Sequence, residues 1–146
     1  MNNTLRQSWM SLLAKAPAQE LFALWERRGY APTFEYLRPP EQGAVMVQAR
    51  TGATGAAFNL GEMTVTRCAL KLADGRVGHG YVQGRDKRKV EIAALLDALM
   101  QGAEAADIDA EILTPLHNSI ARAKKTKAEK AEATKVSFFT LARGED

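Results

Sequence analysis

Residues 48–89 read QARTGATGAAFNLGEMTVTRCALKLADGRVGHGYVQGRDKRK and hold seven of the chain's eleven glycines. Two kinds of segment alternate in this stretch. Residues 51–61 are small, polar and glycine-rich, the composition of a turn or loop. Residues 62–72 and 77–82 are rich in β-branched and aromatic residues with alternating polarity, which is the signature of strands. Between them, Ala73-Asp74-Gly75-Arg76 reads as a tight hairpin turn, because Asp-Gly accepts the positive φ of a type I′ turn. A β-hairpin running directly into a helix at Gly84-Arg85-Asp86-Lys87 makes the chain α+β.

The strands carry finer signals. Met63 and Val65 share one phase, and Cys68, Leu70 and Leu72 share the other, so the spacing predicts a bulge near Thr66-Arg67. On the returning strand Val77, His79 and Tyr81 share one face while Gly78 and Gly80 share the other. Paired glycines on one face admit close approach of a helix, a ligand or a partner chain. Asp86 is placed to cap the following helix, whose apolar positions are Ile92, Leu95, Leu96, Leu99 and Met100. Gly102 then ends it.

Working outward toward the N-terminus, Ala44–Arg50 alternates, with Val45, Val47 and Ala49 on one side. Thr33–Leu37 alternates too. The prolines and glycine of residues 38–43 predict a turn that folds these two runs into an antiparallel hairpin. Leu5, Trp9, Leu12 and Leu13 form one face of a first helix, capped by Asn3 or Thr4. Pro17 starts a second helix bearing Leu21, Phe22, Leu24 and Trp25, and Gly29 closes it. Both tryptophans read as packing residues.

Toward the C-terminus, residues 104–111 carry four acids and no base, whereas 122–135 carry six bases and two acids. Blocks of this kind mark solvated or partner-facing surface. Residues 121–135 lack any large apolar side chain, so a helix there buries little of itself. Val136, Phe138, Phe139 and Leu141 follow. An apolar segment beyond a polar helix must dock, either on the chain's own sheet as a strand or on another subunit. The expected architecture is an antiparallel sheet of about four strands packed with helices, residues 1–103, and an extended helical C-terminal arm, residues 104–146, ending in the apolar segment.

Composition narrows the function classes. At 146 residues, 46% hydrophobic and 25% charged, the chain is long enough for one self-sufficient core. The single cysteine, Cys68, excludes an internal disulfide and favours a reducing cytoplasm. No apolar run long enough to span a bilayer occurs, and the first residues lack the pattern of a signal peptide. A net charge of +3 does not by itself argue for nucleic acid. Gly52-x-x-Gly55 lacks the Gly-Lys-Ser/Thr ending of a phosphate loop. The two histidines, His79 and His117, and the one cysteine match no zinc spacing. The strand–glycine–helix junction at residues 84–87 is the arrangement that favours anions, and Arg85 and Lys87 add charge to it.

Four motifs carry a family resemblance. They are Arg6-Gln7-x-Trp9-Met10; Gln48-Ala49-Arg50-x-Gly52-x-x-Gly55-x-x-Phe58 with Gly61-Glu62-x-Thr64-x-Thr66-Arg67; Gly84-Arg85-Asp86-Lys87 leading to Ala94-Leu95-Leu96-Asp97-Ala98-Leu99-Met100-Gln101; and Phe138-Phe139-Thr140-x-x-Arg143-Gly144. With them the chain resembles the G subunit of the bacterial carbon–phosphorus lyase machinery, the PhnG family. The resemblance implies a subunit working with H, I and J subunits and an ATPase-like L subunit. Their shared reaction transfers an alkylphosphonate onto ATP with release of adenine, giving ribose 1-alkylphosphonate 5-triphosphate. It implies no catalytic residue, metal or cofactor on this chain, MgATP being a substrate of the complex.

Three expectations follow. The chain is an accessory subunit that assembles through Val136, Phe138, Phe139 and Leu141. Alternatively it supplies phosphate-binding groups to a shared active site, with Arg50, Gly52, Gly55, Arg67, Arg85 and Lys87 as candidates, arginine being suited to bidentate oxyanion contact. The third is nucleic-acid binding by the basic arm, against which the resemblance argues.

Overall fold

The computed structural model describes residues 3–50 and 55–144, with the side chains of Asn59 and of residues 136–144 left outside the description. Helices α1 (Asn3–Lys15) and α2 (Ala18–Arg28) lead to strands β1 (Phe34–Arg50), β2 (Ala57–Leu72) and β3 (Val77–Gln83), and then to helix α3 (Lys87–Leu99). A short helix α4 (Ala105–Ile108) passes through a π-helical turn at Asp109–Leu113 into helix α5 (Thr114–Gly144). The strands form an antiparallel meander in the order β1-β2-β3. The chain is therefore α+β, with an antiparallel sheet, helices packed on it and a long helical C-terminal segment.

The four expected β segments all lie in the sheet, but the first two do not pair with each other. Residues 34–37 and 44–50 belong to one strand, β1, and both pair with β2. Pro39 and Pro40 do not turn the chain back, because β1 is an edge strand and its outward side needs no donor. Instead they sit in an irregularity, where the register shifts between Arg38 and Glu41. The bulge predicted near Thr66-Arg67 is corrected in the same way. β2 pairs with β3 without interruption across those residues, and the extra residues lie in β1, between the partners of Leu70 and Arg67. The alternation predicted for Ala44–Arg50 holds, with odd positions half-buried and even positions exposed.

Helix α3 is the centre of the core. Ten of its residues are buried, from Lys89 and Val90 to Leu99. One side meets β3, where Gly78 and Gly80 face it: a Cβ on Gly78 would stand 1.9 Å from the Ala94 carbonyl oxygen, and one on Gly80 2.4 Å from that of Val90. So the glycine pair admits a helix. The rest of α3 packs with α1, α2 and the π turn through Trp9, Leu13, Leu21, Ile108, Ile112 and Leu116. A helix apolar nearly all round is stable only when enclosed in this manner. Leu5, expected on the buried face of α1, is 60% exposed, and the face is carried by Trp9 and Leu13.

Two caps follow the sequence, whereas Pro17 stands at the N-cap of α2 rather than inside it and α3 closes at Met100, ahead of Gly102. Asp86 accepts a hydrogen bond from the Lys89 amide at 3.0 Å, and Gly29 ends α2 at φ 72°. The π turn has a local cause in Pro115, whose ring has no N–H and would meet the carbonyl of the preceding turn in a regular helix. Thr114 N–H reaches back to Asp109 O, widening the helix just before the proline. The segment 104–146, expected as one arm, divides in two. Ile108, Ile112, Leu113 and Leu116 are buried in the core, whereas 121–135 is exposed throughout. The backbone of 136–144 continues as helix, not strand.

Candidate functional site

Two sequence motifs far apart in the chain meet inside the molecule. Asp97 is fully buried in α3. Its carboxylate accepts from Arg6 Nε at 3.2 Å and Arg6 Nη2 at 2.8 Å, from Trp9 Nε1 at 2.8 Å, and from the His79 backbone N–H at 2.8 Å. A buried charge persists only with partners of this quality. One turn on, Gln101 donates to Val77 O at 2.8 Å. Asp97 and Gln101 thus satisfy outward-facing backbone groups on the free edge of β3, which protects that edge from pairing with another chain. Both contacts need α3 to lie against β3, which Gly78 and Gly80 permit. The hub therefore fixes α1, α3 and β3 to one another.

Arg76 makes a second tie. Its guanidinium donates to Asp74 at 2.8 Å and to Glu104 at 2.8 and 3.3 Å, joining the β2–β3 turn to the segment after α3. These bonds hold Glu104 and Asp74 below the usual carboxylate range. Lys89, buried in α3, donates from Nζ to Ala14 O at 3.3 Å, at the C-terminal end of α1, where a cation is favoured. Burial lowers its pKa. Cys68 is buried, and desolvation followed by the nearby Glu91 pushes its thiol up to about 11. A thiol nucleophile requires the opposite shift, so Cys68 serves as a core residue. Among the described residues, no cluster of His, Cys, Asp and Glu is disposed to hold a metal ion.

The candidate phosphate-binding residues fall in three places. Arg67 points from the sheet face opposite α3, 50% exposed, and pairs with Glu41 at 3.5 Å. Arg85 and Lys87 are exposed at the start of α3. Here Gly84, at φ 91°, donates to Thr64 O and accepts from Thr66 Oγ1 at 2.7 Å. Asp86 already supplies the carboxylate that this helix N-terminus attracts. Gln42 Nε2 donates to Arg85 O at 3.4 Å, and Arg50 pairs with Ala57 eight positions further along β1, about 26 Å away at the usual strand rise. Gly55 lies in the β1–β2 connection, just before β2, and Gly52 lies outside the described residues. The connection joins two strands, so no helix N-terminus follows its glycines. The structure thus sets Arg67 on the sheet face opposite α3, keeps Arg85 and Lys87 together at the start of α3, and sets Arg50 apart.

Two parts project beyond the core. The last β2 residue paired with β3 is Val65, so within the sheet residues 57–64 of β2 pair with β1 alone. This two-stranded ribbon exposes Met46 (51%), Phe58 (45%) and Leu60 (63%). The other projection is α5 beyond Ile120. The side chains of Val136, Phe138, Phe139 and Leu141, the expected docking residues, lie outside the described residues.

The molecule is thus an α+β core tied by a buried hub, with a two-stranded ribbon and a polar helix extending from it. The chain belongs to the family of the phosphonate metabolism protein PhnG, whose family model matches residues 4–144. It is also similar to the alpha-D-ribose 1-methylphosphonate 5-triphosphate synthase subunit PhnG of Rhizobium meliloti (strain 1021), at 42% identity over 146 residues, covering 97% of this chain and 90% of that protein. No helix among the described residues is long and apolar enough to cross a membrane. Sequence reasoning missed the role of Asp97. The signal was an acid inside the run Ala94-Leu95-Leu96-Asp97-Ala98-Leu99, where a buried carboxylate demands donors from elsewhere.

Proposed function

We propose that this chain is an accessory subunit of a carbon–phosphorus lyase core complex, working with H, I and J subunits and, functionally, an ATPase-like L subunit in the cytoplasm. The complex transfers an alkylphosphonate onto ATP. A phosphonate oxygen takes the place of the adenine nitrogen at the ribose anomeric carbon, so one C–N bond breaks as one C–O bond forms. MgATP is a substrate of the assembly, and this chain contributes architecture. The observation that carries the reading is the pair of uncovered arms, the ribbon at 43–50 and 57–64 and the exposed helix beyond 120. An isolated two-stranded ribbon is marginal in water, and a helix polar all round gains little from its own core. Both are stabilised by partners. Family membership and the name of the Rhizobium relative supply the chemistry.

The test is adenine release from ATP and methylphosphonate by the co-expressed subunits. Release should fall to background when this chain is omitted, and this chain alone should release none. Full activity without it overturns the reading.

A second reading draws on Arg67 on the open face of the sheet and on Arg85 and Lys87 at the start of α3, with Arg50 at a more distant point. Here the chain lends phosphate-binding groups to a shared active site. In that case Arg67→Ala and Arg85→Ala lower adenine release while leaving the complex intact.

A further inference from the structure

The sheet face turned away from α3 contains a pit that the register defines. Three cross-strand rows cross it: Glu35, Lys71 and Val77; Arg38, Ala69 and His79; Glu41, Arg67 and Tyr81. Directly paired residues share a face, and their side chains stand up from it. Ala69 is the small residue in the middle, 9% exposed, and larger side chains rise on every side. Two strand spacings set Arg38 and His79 about 10 Å apart across it. The resulting concavity, of about 520 Å³, is lined by Leu37, Arg38, Arg67, Ala69, His79 and Tyr81.

Its charge is unbalanced and loosely held. Arg38 and Arg67 share the single carboxylate of Glu41, at 3.4 and 3.5 Å, while Lys71 pairs with Glu35 at 3.3 Å. Three bases thus face two acids. The arginine pairs are longer than the roughly 2.7–2.9 Å of a tight charge-assisted hydrogen bond, so both guanidiniums retain donor capacity. β1 is also irregular at this point, with register shifts on both sides of Arg38. Bulges bend a strand and re-aim its side chains, here toward the pit. Leu37 (54% exposed) and Tyr81 (43% exposed) add apolar surface at its rim.

We propose that this pit binds a tetrahedral oxyanion, the phosphate or phosphonate head of a small molecule. Arg38 and Arg67 turn from Glu41 to the oxyanion, and Leu37 and Tyr81 lie against the organic remainder. The guanidinium fork matches such an oxyanion in two-point contact. This deepens the second reading above, and its failure would leave the assembly reading standing, because that reading is tested by dependence on the chain and not by anion binding.

The experiment is an amide NMR titration of the full-length chain at constant ionic strength with inorganic phosphate, methylphosphonate and ATP in separate arms. Saturable shifts are expected at Ala69, His79 and Tyr81. Binding by phosphate and methylphosphonate identifies the head group as sufficient, and binding by ATP alone identifies a polyphosphate. In either case Arg67→Gln and Arg38→Gln should each weaken affinity about tenfold, the effect of losing a charge-assisted contact, without changing the melting temperature. Ala69→Leu should abolish binding by filling the pit. The proposal is overturned if none of the three probes shifts these amides saturably, or if affinity is unchanged in folded Arg67→Gln.

Discussion

Asp97 shows how much a single buried side chain can organise. Its four hydrogen bonds come from two elements, three from Arg6 and Trp9 of α1 and one from the His79 amide of β3, and so join both to α3. Replacement by asparagine keeps the shape but sets an NH2 group against donors and removes the charge facing Arg6. Breaking a buried ion pair from one side costs about 3 kcal/mol or more. Asp97→Asn should therefore lower unfolding free energy by about 3 kcal/mol in a denaturant titration. Trp9→Phe, which loses one donor, should lower it by about 1 kcal/mol. Equal stability of wild type and Asp97→Asn would remove the hub from the account. The sequence offered the residues of this hub as two motifs 88 or more positions apart. That they meet was not legible, because nothing in local periodicity says which buried acid finds which distant donor.

At the scale of elements, the meeting of β3 and α3 was the most legible feature. Gly78 and Gly80 on one strand face announced a close approach, and the approach is by α3. A Cβ at Gly78 would overlap the Ala94 carbonyl oxygen and come within 2.9 Å of Ala98, both parts of a helix that cannot yield locally. Gly78→Ala should destabilise by about 3 kcal/mol, the upper range for overpacking, and should show as a lowered thermal midpoint. Gly43→Ala, with nothing within 4 Å of the added carbon, serves as the control and should leave the midpoint nearly unchanged. The caps at Asp86 and Gly29 were readable for the same reason, since each rests on local backbone chemistry. β1 was not. Pro39-Pro40 and Gly43 read as a turn, yet the strand continues through them, because edge position decides whether a proline is tolerated and edge position is a tertiary fact. The phase slip read in β2 is not a bulge, since Thr66, Cys68, Leu70 and Leu72 are buried in one unbroken phase and β2 runs regularly against β3.

For the whole molecule, the sequence made the α+β class and the polar C-terminal helix plain from composition and period. It misplaced where the core ends, because residues 104–111 look solvated by charge while Ile108 and Ile112 beside those charges are fully buried. Of the candidate site, Arg67 was legible as an exposed strand arginine. Its companions Arg38 and His79 were not, since only the register places them around Ala69. Beyond the core lie a ribbon about 26 Å long and the part of α5 past Ile120, whose side chains at 121–135 are exposed.

The most direct measurement is co-purification of the tagged chain with the co-expressed H, I and J subunits, comparing full length with a chain lacking residues 136–146. The account predicts that the full chain retains its partners and that the truncated chain loses them, while its own thermal midpoint stays the same because the core ends before residue 121. Undiminished co-purification of the truncated chain would contradict it.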